Sequence, residues 1–247
     1  MADQFSRTRL LVGEEPLARL AAAKVAVFGV GGVGGFCVEA LARAGVGTLH
    51  LYDDDTVSES NLNRQIVALH STIGQPKAEV MARRVQDINP ACQVEVFRMF
   101  YLPENADQVD LSQYDYVVDC IDTVAAKLDL VERCATLQVP ILSAMGSGNK
   151  LDPTAFRVTD LSKTQGCPLA RVMRKELRKR GITHLKVVYS TEEPLTPLQP
   201  AEEEAPAGTD TRPRSTARRA TPGSISFVPA AAGLVAASAV IRDLGGF

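Results

Sequence analysis

A short apolar segment that ends in closely spaced glycines constrains the fold of this chain most. Residues 24–34 read KVAVFGVGGVG, which places Gly29, Gly31 and Gly34 in the pattern G-x-G-x-x-G. The apolar run predicts a strand buried on both faces of a parallel sheet. The glycines let the backbone turn tightly and approach a phosphate at a helix N-terminus. The segment therefore predicts a nucleotide-binding turn, the alternative being a turn that only packs helix against sheet.

An acidic residue in the expected place strengthens this prediction. FCVEALARA supplies a helix after the glycines, with Gly45 suited to its C-terminal cap. The next strand, TLHLY, is followed by Asp53, which lies 19 residues after Gly34. A carboxylate in that position can accept hydrogen bonds from ribose hydroxyls.

The polar loop after Asp53 favours a triphosphate over NAD. It carries Asn61, Arg64 and Gln65, and Lys77 then begins a predicted helix after a proline. Two cations downstream of an adenosine site can neutralise a triphosphate, whose transfer chemistry is largely electrostatic. The alternative is that both cations are ordinary solvated side chains.

Strand and helix patterns alternate along the chain. We predict strands at 24–28, 48–53, 93–98, 114–120, 139–144, 155–160, 185–190 and 224–228. We predict helices at 34–44, 76–88, 123–137, 168–180 and 229–242. This order predicts a Rossmann-like α/β fold with a mostly parallel sheet, flanking helices and a C-terminal extension whose last strands can run antiparallel. Residues 1–247 are expected to form one domain, with a mobile, Pro- and Glu-rich insertion at about 192–222.

A basic helix is predicted over 168–180. Four cations share one face at spacings i, i+3, i+4 and i+7, namely Arg171, Arg174, Lys175 and Arg178. The residues expected to face the core are Leu169, Val172, Met173 and Leu177. Such a face can bind RNA phosphates without reading sequence, or can simply be a solvated surface.

Net charge, cysteine spacing and hydropathy bear on three further properties, namely nucleic-acid binding, zinc binding and membrane insertion. The net charge is −2, so nucleic-acid binding requires a local basic patch. The five cysteines form no C-x-x-C pair, which argues against a structural zinc site and suggests reduced thiols in the cytoplasm. The uncharged stretch 225–241 is marginal for a membrane span, and we expect a core or dimer helix there instead.

Cysteine and histidine are two further residue types with chemical potential. Cys167 precedes Pro168 at the start of the basic helix, where it is either a reactive thiol or a small structural residue. The three histidines have no metal-ligand spacing and are expected to be structural or exposed.

Several motifs together carry a family resemblance. VAVFGVGGVG, LYDDDTVSESNLNRQ, GQPKAE and DCIDT resemble the ThiF-like, ubiquitin-activating-enzyme-like adenylyltransferases over about residues 5–145. SAMGSGNKLDPTAFRVTDLSKTQGCPLARVMRKELRKRGI and LKVVYSTEEP resemble the tRNA threonylcarbamoyladenosine dehydratases within that superfamily. One departure is Gly35, where the family usually has serine. Glycine lacks the serine hydroxyl and its side-chain contact, whereas the backbone contacts of the glycine turn do not depend on that hydroxyl.

The resemblance implies ATP and Mg2+ as cofactors and assigns site residues. It implies an ATP site made of Gly29, Gly31, Gly32, Gly34, Asp53, Asn61, Arg64, Gln65, Lys77 and Asp122. Arg64, Lys77, Asp122 and Arg7 are the residues implied in catalysis, with Asp122 beside the metal. Arg7 is expected to reach ATP from the neighbouring subunit of a homodimer.

The implied activity is ATP-dependent cyclisation of threonylcarbamoyladenosine in tRNA. The substrate carboxylate is adenylated and then closes to a cyclic form, with tRNA as a partner, a sulfur-transfer protein as an optional second partner, and no membrane. One alternative is activation of the C-terminal glycine of a ubiquitin-like sulfur-carrier protein. An NAD-dependent dehydrogenase, which leaves Arg64 and Lys77 without a role, and a non-catalytic nucleotide sensor are the others.

Overall fold

A single seven-stranded sheet organises the protein. The computed structural model describes residues 3–198 and 222–247. The strands are β1 (Lys24–Phe28), β2 (Thr48–Tyr52), β3 (Gln93–Phe97), β4 (Tyr116–Asp119), β5 (Ile141–Ala144), β6 (Phe156–Asp160) and β7 (Lys186–Ser190). Their order across the sheet is β3-β2-β1-β4-β5-β7-β6. Neighbours run parallel except β6 and β7, so the expected antiparallel end of the sheet is confirmed.

Seven helices flank this sheet within the described ranges. They are α1 (Ser6–Val12), α2 (Glu14–Ala22), α3 (Gly34–Ala44), α4 (Lys77–Ile88), α5 (Val124–Leu137), α6 (Pro168–Lys179) and α7 (Phe227–Gly245). The Rossmann-like α/β class is thus confirmed. The chain runs from β1 to β2 and β3 on one side and then crosses to β4 on the other, which opens a crevice at the carboxyl ends of β1 and β4.

Alternating side chains of β1 divide the core between the two faces. Val25 and Val27 pack with α3, α4 and α7 on one face. Ala26 and Phe28 pack with α5 and the aromatic residues of the other face. Because side chains alternate along a strand, the unbroken apolar run VAVF fills both cores, as the sequence pattern predicted.

The C-terminal strand predicted at 224–228 is wrong, because α7 begins at Phe227. The first four N–H groups of a helix have no partner within it, so Pro229 fits as the third residue. The amphipathic run Ser224–Val228 was too short to distinguish a strand from a helix start. Helices α1 and α2 were not predicted at all.

Helix α7 is the one described helix that is long and apolar enough to cross a membrane. However, 44% of the relevant window is buried inside the protein. Gly233 allows close packing, since a Cβ there would lie 2.3 Å from the carbonyl oxygen of Val33 in the turn before α3. The helix therefore has the contacts of a core helix.

The loop after β5 forms hydrogen bonds with both chain segments that flank residues 199–221. Asn149 donates its N–H to the Gly223 carbonyl at 2.8 Å, and its carbonyl accepts from Leu195 N at 2.8 Å. Its Oδ1 accepts from Gly223 N at 2.6 Å. Most of the insertion predicted at 192–222 lies outside the described residues.

Candidate adenylyl-transfer site

The glycine turn is closely packed where β1 meets β4. Gly29 has φ +88°, and a Cβ there would lie 2.8 Å from the Cys120 carbonyl oxygen. A Cβ on Gly34 would lie 1.8 Å from the Gly29 carbonyl oxygen. No other residue type fits these two positions, so the glycines let the turn pack closely before the N-terminus of α3, which is the kind of helix end that can bind a phosphate.

Gly35, which replaces the serine usual in the family, has a local explanation. A Cβ at this position would stand 2.9 Å from Cγ2 of Ile66. Glycine and Ile66 therefore fit together, whereas a serine would require Ile66 to shift.

Asp53 is fixed at the end of β2 by backbone donors. Its Oδ2 accepts from Val30 N at 2.6 Å, and its Oδ1 accepts from Asp55 N at 2.8 Å. Burial raises the pKa of this carboxyl, while the Val30 hydrogen bond and the nearby Lys77 charge oppose the rise. Each oxygen keeps a lone pair for a hydroxyl donor, which is the requirement for binding a ribose.

The polar loop folds back onto the glycine turn. Asn61 is buried, and its Oδ1 accepts from Ser58 N at 3.1 Å, which caps a short 3₁₀ turn. Arg64 Nη1 donates to Ser60 O at 2.8 Å and to Asn63 Oδ1 at 2.9 Å. The Arg64 Cγ lies 3.7 Å from the Cβ position of Gly32. The side-chain stem of Arg64 therefore lies next to the turn, and its contact with a phosphate stays a prediction.

Gln65 lies beneath the same turn and has an unused acceptor. The residue is 8% exposed, and its Nε2 lies 3.8 Å from the Cβ position of Gly31. Its Oε1 is buried without a hydrogen-bond partner among the described residues. A buried orphan acceptor is costly, so a ligand that brings a donor to this position would be favoured.

Lys77 reaches the site from the start of α4. Its buried ammonium pairs with Asp55 Oδ2 at 2.8 Å, and its backbone N–H donates to the Asp55 carbonyl. Carboxylate oxygens of Asp53, Asp54 and Asp55 lie within 4.8 Å of one another. Because Asp53 and Asp55 already hold backbone donors and Lys77, we do not assign a metal to this trio.

Asp122 occupies the loop between β4 and α5. Its carboxylate is exposed, and its described contact is with the Thr123 hydroxyl at 3.4 Å. Cys120 N donates to the Phe28 carbonyl at 2.8 Å, which holds this loop against the end of β1. An exposed carboxylate on the loop that contacts Gly29 has the oxygen chemistry that Mg2+ requires.

A buried ion pair lies below this loop and was not predicted from the sequence. Lys127 Nζ lies 3.0 Å from Asp119 Oδ2, and the two side chains are 1% and 0% exposed. The available signal was the spacing of an acid at a strand end and a cation in the first turn of the next helix. A pattern of that kind has too many other uses to be diagnostic.

The basic face on α6 forms as predicted, with two differences. A shallow cavity of about 430 Å³ is lined by Arg171, Arg174, Lys175, Arg178 and Lys179. Arg174 differs from the others because its Nη1 donates to Leu161 O, Thr164 O and Thr164 Oγ1. Val172, expected in the core, is exposed, since Ala170, Met173 and Leu177 form the buried side of α6.

Cys167 lies buried at the N-cap of α6, packed in the core between α5 and α6. Its burial fits the small structural residue that was one of the two interpretations of the sequence. Among the histidines, His50 is buried against Tyr114, with its Nδ1 at 2.9 Å from the tyrosine hydroxyl.

Arg7 lies far from the glycine turn of its own chain. Directly before α1, Phe5 packs against Gly45 and Gln4 Nε2 donates to Asn89 Oδ1 at 3.1 Å. Gly45 caps the far end of α3, whose 11 residues span about 16 Å. Helix α1 therefore lies at the opposite edge of the sheet from the site.

The fold and this site define an adenylyltransferase of the ThiF type. The ThiF family model matches residues 5–247, so the chain belongs to the ThiF family.

Curated relatives indicate which enzymes of the ThiF family this chain resembles. The chain is 44% identical over 245 residues to the tRNA threonylcarbamoyladenosine dehydratase of Bacillus subtilis, covering 99% of this chain and 95% of that protein. It is 37% identical over 250 residues to the Escherichia coli enzyme of the same name, covering 98% and 93%. The solved Escherichia coli dehydratase TcdA in complex with ATP superposes with a TM-score of 0.85 at 36% identity, covering 98% of this chain and 94% of that one.

A more distant relative represents the alternative activity. The adenylyltransferase and sulfurtransferase uba4 of Pyricularia oryzae is 35% identical over 144 residues, which is 58% of this chain and 29% of that protein. The similarity to the dehydratases therefore extends over a larger part of the chain.

Proposed function

We propose that this protein is an ATP-dependent tRNA threonylcarbamoyladenosine dehydratase. The observation that carries the proposal is the glycine turn with Asp53, Arg64 and Lys77 around it, in a chain similar to dehydratases over nearly its whole length. A TcdA structure that holds ATP supports ATP as the nucleotide.

The first step is transfer of an adenylyl group. The glycine turn, Asn61 and Gln65 line the ATP site, Asp53 holds the ribose, and Arg64 and Lys77 face the phosphates. The substrate carboxylate attacks the α-phosphorus, an acyl–phosphate bond forms and pyrophosphate leaves. The charges act mainly on the departing pyrophosphate, where preorganised cations stabilise the transition state.

The second step closes the ring. The carbamoyl nitrogen attacks the acyl carbon of the adenylate, and AMP leaves with the bonding electrons. The proton lost from nitrogen passes to solvent or to the leaving phosphate. Across both steps one water equivalent is removed from the substrate, and ATP becomes AMP and pyrophosphate.

Mg2+ is the proposed metal, with Asp122 as its protein ligand. The exposed Asp122 carboxylate beside the glycine turn fits a hard cation that keeps most of its water and binds substrate phosphates. When bound, the ion neutralises charge on the triphosphate.

The tRNA partner is assigned to the exposed cations of α6. Arg171, Lys175 and Arg178 present their charges to solvent, whereas Arg174 supports the helix through its bonds to residues 161 and 164. A cytoplasmic location follows from this substrate. A sulfur-transfer partner is a separate part of the proposal and needs its own test.

A homodimer completes the site. Arg7 can reach a glycine turn only from another subunit, because α1 lies at the far edge of its own sheet. Leu10 and Leu11 on the same helix are 86% and 87% exposed, which is the apolar surface that a second subunit would cover.

Mass spectrometry of tRNA nucleosides tests the function directly. In cells lacking the protein, the cyclic nucleoside should disappear and the open threonylcarbamoyl form should remain. A complemented strain prepared in parallel controls for ring opening during digestion. An unchanged cyclic nucleoside would reject the dehydratase proposal.

ATP–pyrophosphate exchange separates the alternatives. We expect exchange that depends on tRNA bearing threonylcarbamoyladenosine. Exchange that depends on a sulfur-carrier protein would favour the second activity. Binding of NAD without ATP would favour a dehydrogenase, and ATP binding without exchange would favour a sensor.

A further inference from the structure

A closed network of buried polar groups underlies the loop that carries Asp122. Asp119 ends β4, Ser143 lies in β5, and Lys127 lies in the first turn of α5. The Lys127 ammonium donates to Asp119 Oδ2 at 3.0 Å, Ser143 Oγ at 3.2 Å and the Ala144 carbonyl at 2.7 Å. An ammonium has three donors, so this one is fully used.

Both carboxylate oxygens of the acid in this network also accept hydrogen bonds, and one of these bonds comes from the loop. Asp119 Oδ2 accepts from the Ser143 hydroxyl as well as from Lys127. Its Oδ1 accepts from Ile121 N at 3.1 Å, which is a backbone group of the loop itself. Lys127 is therefore linked through one carboxylate to the residue before Asp122.

Stability alone is a poor explanation for this arrangement. Burying two charges is costly, and apolar residues of similar volume often stabilise a core equally well or better. Lys127 also lies in the first turn of α5, where the helix dipole disfavours a cation. The network does, however, tie together the ends of β4 and β5 and the loop that contacts Gly29.

We propose that Lys127 is a positioning residue for adenylation, which acts through Asp119 to hold the loop Cys120–Thr123 against Gly29 and so fixes Asp122 at the phosphate end of the site. The inference rests on the adenylation proposed above. Lys127 and Asp119 are buried and contact neither nucleotide nor metal. Lys127 and Asp119 therefore affect the rate of adenylation and not the affinity for ATP.

The test replaces the pair by apolar residues of similar size. In Asp119→Leu with Lys127→Met, the charges disappear together, so no unpaired charge remains buried. We expect a folded protein in which the amide hydrogen of Ile121 exchanges faster and kcat of ATP–pyrophosphate exchange falls about 10- to 100-fold, because small misplacements have effects of that size. The KM for ATP should change little.

Two further variants make the result decisive. Ser143→Ala removes one hydroxyl and keeps the ion pair, so it should fold and show a smaller change in the same direction. Asp129→Asn is the control, because Asp129 lies on the same helix and accepts a hydrogen bond from Tyr101 on the other side of α5. It should lower the melting temperature without changing kcat.

The outcomes separate this inference from the proposed function. A folded double variant with unchanged kcat would overturn the positioning role. So would a double variant that fails to fold together with Ser143→Ala showing normal kcat and normal exchange at Ile121. If the unmodified protein catalyses no exchange at all, adenylation fails, while the amide exchange still reports whether the network holds the loop.

Discussion

At the scale of single residues, the geometry distinguishes polar groups with free hydrogen-bonding capacity from groups held by other side chains. Asp53 accepts two backbone N–H bonds and keeps free lone pairs, whereas Asp55 is engaged by Lys77. Asp122 is exposed, and Asp119, three residues earlier, is fully enclosed. The two acids of DCID therefore lie in different environments, which spacing alone could not separate.

Asp53→Ala should weaken ATP binding. The variant has no charged acceptors for the ribose hydroxyls, which corresponds to about 1.5–3 kcal/mol for bonds to a charged group. Isothermal calorimetry measures the change. Glu59→Gln, an exposed acid in the following loop, should bind ATP normally. Equal affinities for the Asp53 variant and the unmodified protein would remove Asp53 from the site.

Asp122→Ala and Lys77→Ala should differ in stability. Removing the exposed Asp122 should lower the adenylation rate at an unchanged melting temperature. Removing the buried Lys77 leaves Asp55 without its ion pair, so both rate and melting temperature should fall. Thermal unfolding and ATP–pyrophosphate exchange on the same samples check this. Normal turnover in both variants would contradict the assignment.

At the scale of elements, the sequence predicted the helices and strands whose apolar residues recur at a clear spacing. The run from β1 through α3 to β2 was predicted nearly to the residue, because glycine punctuation and apolar runs mark each boundary. Helix α1 was missed because none of its residues is buried, so it carries no amphipathic pattern. Helix α2 buries Leu17 and Leu20, a signal of only one turn.

The candidate site was also predictable only in part. Residues that follow strands of a parallel sheet meet at one edge, so Asp53, Asp122 and the glycine turn could be placed together from sequence. The buried Asp119–Lys127 pair and the fixed position of Arg174 depend on packing between elements distant in sequence, and periodicity does not report such contacts.

Charge reversal on α6 should weaken tRNA binding without affecting ATP. Arg171→Glu with Lys175→Glu removes two exposed cations and should reduce the salt slope by about 0.9 for each phosphate that is no longer neutralised. Filter binding across a salt series measures it. Arg83→Glu with Arg98→Glu makes the same change in net charge on α4 and just after β3, and should leave the slope nearly unchanged. An equal effect from both pairs would indicate net charge and not this face.

At the scale of the whole molecule, the residues proposed for the site lie at opposite ends of the sheet's strands. The glycine turn, Asp53 and Asp122 lie at the carboxyl edge, whereas α1 with Arg7 lies at the amino edge. One chain cannot bring these together, which is why the proposed assembly is a homodimer related by twofold symmetry.

Subunit mixing should reveal this division. An Arg7→Ala chain keeps its own Asp122, and an Asp122→Ala chain keeps its own Arg7, so each homodimer is inactive. A mixed dimer should contain about one competent site. ATP–pyrophosphate exchange measured after mixing should recover part of the activity, whereas mixing two samples of the same variant should not. Full activity in a strictly monomeric sample by light scattering would contradict the arrangement.

Asn149 holds both ends of the chain segment that contains residues 199–221. Because Asn149 binds both Leu195 and Gly223, the chain between them is a closed loop whose ends are fixed whatever lies inside it. The entropy of closing such a loop grows only with the logarithm of its length, by about 0.6 kcal/mol for each doubling. We therefore expect that the number of residues between the two anchors can change at small thermodynamic cost.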